Sequence, residues 1–310
     1  MADSKNKEVK IKKESSSDKK VIKKNNSEEI PWRWRYDKRN TLNNLTSKEW
    51  LPETISVFVQ KWLWAWHPDT KIERQHPAPY SYQDVMRLIK FFTKEWQKVL
   101  DPFNGIWSTL KACALSWREW YGIELIEKYY KLTLERLKTE LKWWLFPKAK
   151  QTVIHWDALK EIKKIWDDSF DLLVTSPPYW NILQKVDHKA KWERIKNNLD
   201  HKYSEDKNDL WNIDNYEIFL EKLWNFFIDC WRIIKKNWHF CIVVSDFRQK
   251  SKLYTFHTDL SNYIEKNSNI VLKWITILYQ SRKKIYPYWY PFSYVPNIHH
   301  QYILIMKNEK

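Results

Sequence analysis

DPFNGIWSTLKACALSWREWYGIEL, residues 101–125, is the stretch on which the fold turns. An acid ends a short apolar strand, small residues follow, STLKACALS reads as a helix, and YGIEL is a second strand. That is the rhythm of a turn that lets a ligand approach backbone N–H groups at a helix start, a place where glycine is the natural residue. Yet tryptophans stand at 107, 117 and 120.

The composition bears on that contradiction. The chain of 310 residues has 2 glycines and 22 tryptophans. Ordinary usage of about 7% would give roughly 22 glycines, and the two counts together make 24. The tryptophans also recur at turn positions: Trp156 in His-Trp-Asp (155–157), Trp180 after Pro-Pro-Tyr, and Trp238 after Lys-Lys-Asn, where a left-handed helix cap would want glycine. The sequence therefore predicts that most of the written tryptophans stand for glycine, as a codon reassigned in the source would produce. Trp50 reads as a true tryptophan. The opposing reading is a tryptophan-rich protein that stacks on sugars or bases.

Outward from residue 101, strands and helices alternate. QDVMRLIKFF, STLKACALS, EKYYKLTLERLKTEL and NYEIFLEKLWNFFIDCWRII read as helices. KVLDPF, YGIEL, TVIHWDA, FDLLVTSPP, HFCIVVSD, ITILYQ and HQYILIMK read as strands. Such alternation predicts an α/β fold with a mainly parallel sheet covered on both faces. The last two strands have no helix between them, which predicts an antiparallel pair. Residues 1–30 are dense in Lys, Ser and Asn and read as a disordered basic tail. Residues 31–310 form one domain, divided into a leading region (31–75), a first half (76–165) and a second half (166–310). Within the second half, 184–212 read as an inserted surface loop.

The net charge is +16, of which the first thirty residues carry only +3, so the body is basic and suits a polyanionic partner. Cys113, Cys230 and Cys241 lack metal-ligand spacing, so no metal is expected, and free thiols suit a reducing cytoplasm. No apolar run reaches membrane length.

Ligands of open parallel sheets sit beyond the carboxyl ends of the strands. Four such ends carry polar residues. Asp101, Pro102, Phe103, Asn104, Gly105, Ile106, Trp107, Ser108 and Thr109 form the first turn, and Glu124, ending the next strand, suits a pair of ribose hydroxyls. Asp157 follows as an acceptor for an adenine amino group. The fourth end is Ser176-Pro177-Pro178-Tyr179. Its prolines lack N–H donors, which leaves Ser176 Oγ and the Pro177 carbonyl to accept from an exocyclic amino group, and Tyr179 offers a face on which a base can stack.

In DPFNGIW, YGIEL, HWDA and TSPPYW the chain resembles the S-adenosylmethionine-dependent DNA amino-methyltransferases, which modify cytosine N4 or adenine N6. HPAPY (76–80) resembles the family's segment beside the methionine moiety, IIKKNWHFCIVVSDFRQK its later strand and LNNLTSKEWLPET (42–54) its opening region. The resemblance implies a Rossmann-like sheet of about seven strands with an antiparallel edge strand. It further implies S-adenosylmethionine bound by His76, Pro77, the 101–109 turn, Glu124 and Asp157, and chemistry at Ser176–Tyr179. Read literally, Trp107 would fill the cofactor cradle.

The substrate so implied is double-stranded DNA with its target base flipped out of the stack, and a restriction-modification setting brings in a companion endonuclease. Serine before Pro-Pro-Tyr leans toward cytosine N4 over adenine N6. An RNA amino-methyltransferase and a non-catalytic nucleic-acid binder are the alternatives. For nucleic-acid contacts the sequence offers two basic stretches: Arg282, Lys283 and Lys284 among aromatics between the last two strands, and the 184–212 insertion with Lys189 and Arg194.

Overall fold

Alternate residues of the central strands are sent to opposite faces of one sheet, as the period of two requires. Leu100, Ile123, Leu173, Phe240 and Ile242 enter one apolar layer, while Val99, Leu172, Val174, Cys241 and Val243 enter the other. In the computed structural model the described residues are 36–61, 70, 81–140, 149–180, 196, 209–249 and 252–310. The tail 1–30 and nearly all of 184–208 lie outside them.

Ten strands are described: β1 (Val57–Val59), β2 (Lys98–Asp101), β3 (Glu119–Glu124), β4 (Gln151–His155), β5 (Phe170–Thr175), β6 (Ile234–Val244), β7 (Phe247–Gln249), β8 (Lys252–Tyr254), β9 (Ile270–Tyr279) and β10 (His300–Asn308). The helices are α1 (Ser47–Trp50), α2 (Tyr82–Phe92), α3 (Ser108–Leu115), α4 (Glu127–Glu140), α5 (Ala158–Glu161), α6 (Tyr216–Ile233) and α7 (Phe256–Asn267). Eight strands make the main sheet in the order β1-β9-β10-β6-β5-β2-β3-β4, and β7 and β8 make a separate hairpin. All its pairings are parallel except those of β10, which runs antiparallel to both β6 and β9. The mainly parallel sheet and the antiparallel β9–β10 pair are as the sequence predicts. The eighth strand is β1, whose three residues VFV are too short to show a period; it extends the sheet beyond β9.

Helices α2, α3 and α4 cover one face with Val85, Leu88, Ile89, Leu110, Cys113 and Tyr129. Helices α6 and α7 cover the other with Phe219, Leu223, Phe227, Phe256, Leu260 and Ile264. Layers on both faces explain why the middle strands read as unbroken apolar runs. Two readings change. Residues 209–212, taken as the end of a surface loop, form a short helical turn in which Leu210 and Trp211 are buried. After α6 the left-handed position belongs to Asn237 (φ 67°), not Trp238, because the helix ends at Ile233 and the chain is already extended at Ile234.

The tryptophan anomaly takes a structural form. Six residues other than glycine have positive φ among those described, and four are tryptophans: Trp96 (67°), Trp107 (91°), Trp117 (62°) and Trp289 (58°). A bulky side chain in that region is strained. Trp50, read as authentic, has helical neighbours and packs on Phe91 with ring centroids 4.7 Å apart.

Candidate functional site

Strand order reverses between β2 and β5: chain order runs from β2 through β3 to β4 on one side, then resumes at β5 and β6 on the other. The crevice beyond the carboxyl ends of β2 and β5 is therefore the switch point at which open sheets take ligands. Asp101 ends β2 and Thr175 ends β5. Thr175 Oγ1 donates to Asp101 Oδ1 at 2.6 Å, Thr109 Oγ1 donates to Asp101 Oδ2 at 2.5 Å, and the Phe103 amide donates to Oδ1 at 3.2 Å. Asp101 is thus wholly buried as a clasp joining β2, α3 and β5. It fixes the 101–109 turn directly beside Ser176, the residue after Thr175.

Glu124, at the end of β3, spans the same turn. Its Oε2 accepts from the Gly105 amide and its Oε1 from the Ile126 amide, both at 2.8 Å, which leaves one lone pair on each oxygen. It is 6% exposed. Burial raises its carboxyl to about 8; Asp209 and Asp101 add to the rise, and the two amides oppose it. Asp209, which caps the 210–212 turn through the Trp211 amide, is a member of the site that sequence reasoning missed. Its surroundings of charged, low-apolar sequence disguised it as surface. Within the turn, Asn104 donates to the Gly105 carbonyl and to Thr133 Oγ1, each at 3.2 Å, while its Oδ1 is buried with no hydrogen-bond partner. Crowded carboxylates and a spare carbonyl oxygen suit a ligand that brings positive charge and several donors.

The remaining turn residues are divided. Gly105 has φ 57°, a left-handed value that only glycine takes freely. Pro102, Ser108 and Thr109 are buried and Phe103 lies on Phe226, 4.9 Å between centroids. Trp107 caps α3 with its indole buried in the α2–α3–α4 layer; the Arg136 guanidinium lies 3.1 Å from the ring centroid. Asp157 caps α5, accepting from the Leu159 amide at 3.0 Å, with Oδ2 3.3 Å from Lys160. It stands on the same rim as Glu124, one strand further out. His76, Pro77, Lys189 and Arg194 lie outside the described residues.

On the β5 side, Ser176 and Pro178 are half-buried and Pro177 is buried. Tyr179 is only 8% exposed and meets Phe256 edge-on. Its hydroxyl accepts from Gln301 Nε2 at 2.9 Å and is also bonded to Ser176; burial raises its pKa against both bonds. The open stacking face expected of Tyr179 is therefore covered in this conformation, and the hydroxyl instead holds the serine. Gln301, at the start of β10, went unnoticed because only tertiary pairing brings it to this rim. Trp180 is buried against Tyr216, Phe247 and Tyr254, and its Nε1 donates to the Ile213 carbonyl at 2.8 Å. Arg282, Lys283 and Lys284 are exposed just past β9. Since β9 runs parallel to β5, they too are at this end of the sheet.

The DNA methylase family profile matches residues 2–135. The chain is 41% identical over 64 residues to YubD of Escherichia coli (strain K12), named as a methylase, covering 21% of this chain and 28% of that one. Among solved structures, TrmN of Thermus thermophilus aligns with a TM-score of 0.44 and 13% identity over 73% of this chain and 48% of its own. TTHA0409 of Thermus thermophilus, named as a DNA modification methylase and solved with S-adenosyl-L-methionine, aligns with a TM-score of 0.33 and 20% identity, covering 50% of this chain and 54% of its own. The chain thus spans about a quarter to half the length of these relatives. The resemblance to the DNA amino-methyltransferase family holds over the stretch that contains the Asp101–Thr109 turn and Glu124.

Proposed function

We propose that this chain transfers a methyl group from S-adenosylmethionine to the exocyclic amino group of a base in DNA, cytosine N4 before adenine N6. One observation carries the reading: the Thr175–Asp101 bond sets the 101–109 turn and the Ser176–Tyr179 turn side by side across the switch point. On this reading the cofactor turn and the amino-group acceptors lie adjacent there. Glu124 and Asn104 Oδ1 would hold the cofactor's hydroxyls and amino groups, and the carboxylates of Asp101, Glu124 and Asp209 favour its positive charge. When bound, the cofactor supplies an electrophilic methyl group on sulfur.

The chain's own work is placement and acceptance. Ser176 Oγ and the Pro177 carbonyl accept from the target amino group and favour the positive charge that develops on its nitrogen. Holding the two reactants in one crevice makes a bimolecular step effectively intramolecular. Tyr179, bonded through its hydroxyl to Ser176 and Gln301, orients the serine. A base that stacks on its ring must first displace the side chains that now bury it, Phe256 among them. The flipped base follows from access, since an amino group inside a duplex stack cannot reach Ser176.

Labelled methyl incorporation tests the reading. Duplex DNA should be labelled, tRNA should not, and Ser176→Ala should abolish most of the label. Label on tRNA alone would refute the DNA assignment.

A further inference from the structure

Beyond β9 the chain leaves the sheet for twenty residues, 280–299, before β10 returns it. The neck of this tongue is braced. The Tyr286 amide donates to Asn297 Oδ1 at 3.0 Å, Asn297 Nδ2 donates to the Tyr286 carbonyl at 2.9 Å, and Arg248 donates to the Pro296 carbonyl at 2.7 Å. The tip turns on itself, with Phe292 and Ser293 amides both donating to the Trp289 carbonyl. Pro287, Pro291 and Pro296 restrict it further.

What this braced tip presents is apolar. Tyr290 is 79% exposed, Phe292 87% and Tyr294 89%. A chain segment that spends backbone order on holding aromatic side chains in water marks an interaction site. Two features identify the occupant. Residues 280–300 contain no Asp or Glu, and Arg282, Lys283 and Lys284 stand exposed at the neck. The tongue also roots at the rim of the switch-point crevice, where Gln301 reaches Tyr179. Exposed ring faces beside an exposed basic neck fit an anionic strand with open base faces.

We propose that the 285–294 tip is a stacking finger that receives unpaired bases of the DNA strand, with Tyr290, Phe292 and Tyr294 as its platforms. This rests on the reading of DNA as substrate and extends it: the protein engages a locally opened site in preference to an intact duplex. Because the prolines and the clasp pre-order the tip, little further ordering is needed on binding. Trp289 is left out, since its φ of 58° is a left-handed value that favours glycine over tryptophan.

The test uses the full chain and a labelled duplex carrying 2-aminopurine opposite an abasic site, compared with a fully paired duplex. The wild type should bind the opened duplex more tightly and quench 2-aminopurine by stacking. The triple variant Tyr290→Ala/Phe292→Ala/Tyr294→Ala should bind the opened duplex at least about tenfold more weakly and lose the quench. It should keep its affinity for S-adenosylmethionine, measured by calorimetry. The double variant Tyr290→Phe/Tyr294→Phe keeps ring faces and should keep both signals. Unchanged affinity and quench in the triple variant would overturn the proposal, as would their loss in the double variant. A wild type that self-associates through the tip, with the triple variant monomeric, would assign the surface to a second copy instead. Stacking without any methyl transfer would refute the enzymatic reading and leave the finger standing.

Discussion

Replacing Glu124 by glutamine should reverse the order of stability of the two proteins between acid and alkaline pH. In the folded chain the carboxyl is held at about 8, first by burial, whereas the free side chain titrates near 4.5. Between those values the folded state binds more protons than the unfolded state, so stability falls as pH rises from about 4.5 to about 8 and is flat outside that window. Integrated from about pH 5 to pH 8, the loss is on the order of 3.5 kcal/mol. Glutamine does not titrate and escapes it. It also sets an amide NH2 against either the Gly105 or the Ile126 N–H, at a pH-independent cost of about 1–3 kcal/mol. Glu124→Gln should therefore melt below the wild type near pH 5 and above it near pH 8. At roughly 2 °C per kcal/mol for a chain of this size, the difference between the two melting temperatures should swing by about 7 °C. Scanning calorimetry without cofactor at stepped pH measures this. A melting difference that stays constant across the range would refute the burial argument for Glu124. The same variant should bind S-adenosylmethionine at least about tenfold more weakly, since it loses one charged acceptor. Wild-type binding, unlike that of the variant, should release a proton, because a cationic ligand favours the ionised carboxylate; calorimetry in buffers of different ionisation enthalpy reads that proton.

Of three shorter expectations, the first two concern the same rim. Ser176→Ala should lower kcat about a hundredfold with S-adenosylmethionine affinity unchanged in equilibrium dialysis, as expected for an acceptor aimed at developing charge; full turnover would remove Ser176 from the chemistry. Tyr179→Phe keeps the ring and loses the bonds to Ser176 and Gln301, so kcat should fall about tenfold while KM for DNA stays near the wild-type value; a rise in KM alone would mean that the hydroxyl contacts substrate rather than the serine. Peptide mass spectrometry of protein made in its native source should show glycine at 96, 107, 117 and 289 and tryptophan at 50; an authentic tryptophan at 107 would refute the reassigned codon.

The sheet was readable because its determinants are local. Strands such as FDLLVT and HFCIVV are apolar on both faces, which only a doubly covered parallel sheet rewards, and the acids and Ser-Pro-Pro-Tyr at their ends mark the rim. The roles of those rim residues were less readable, because they depend on what tertiary pairing places next to them. Asp101 looked like part of a cofactor bed alone, yet its oxygens also form a clasp that accepts from Thr109, Thr175 and Phe103. Tyr179 looked like an open platform, but Gln301, 122 positions away, ties its hydroxyl down. Asp209 sat unnoticed at the end of a charged stretch, although it loads the Glu124 carboxyl. Strand β1 and helix α7 were missed for a plainer reason: three residues show no period, and FHTDLSNYIEKN is mostly polar with its four buried residues spread over twelve positions.

The tryptophans connect these two levels. Composition says only that glycine is scarce and tryptophan abundant in nearly complementary numbers. Backbone conformation says where that matters: of six non-glycine residues with positive φ among those described, Trp96, Trp107, Trp117 and Trp289 are four. Left-handed backbone costs an L-residue of this bulk about 1–3 kcal/mol, and glycine almost nothing. A real tryptophan preference, selected for stacking, would favour exposed and extended positions and would have no reason to gather at left-handed ones. Trp107 is the sharpest case, because it opens α3 beneath Asn104 and Gly105. The same Gly-like turn that the sheet demands there is the turn a ligand's backbone contacts demand, so the fold and the proposed chemistry make one request of that residue.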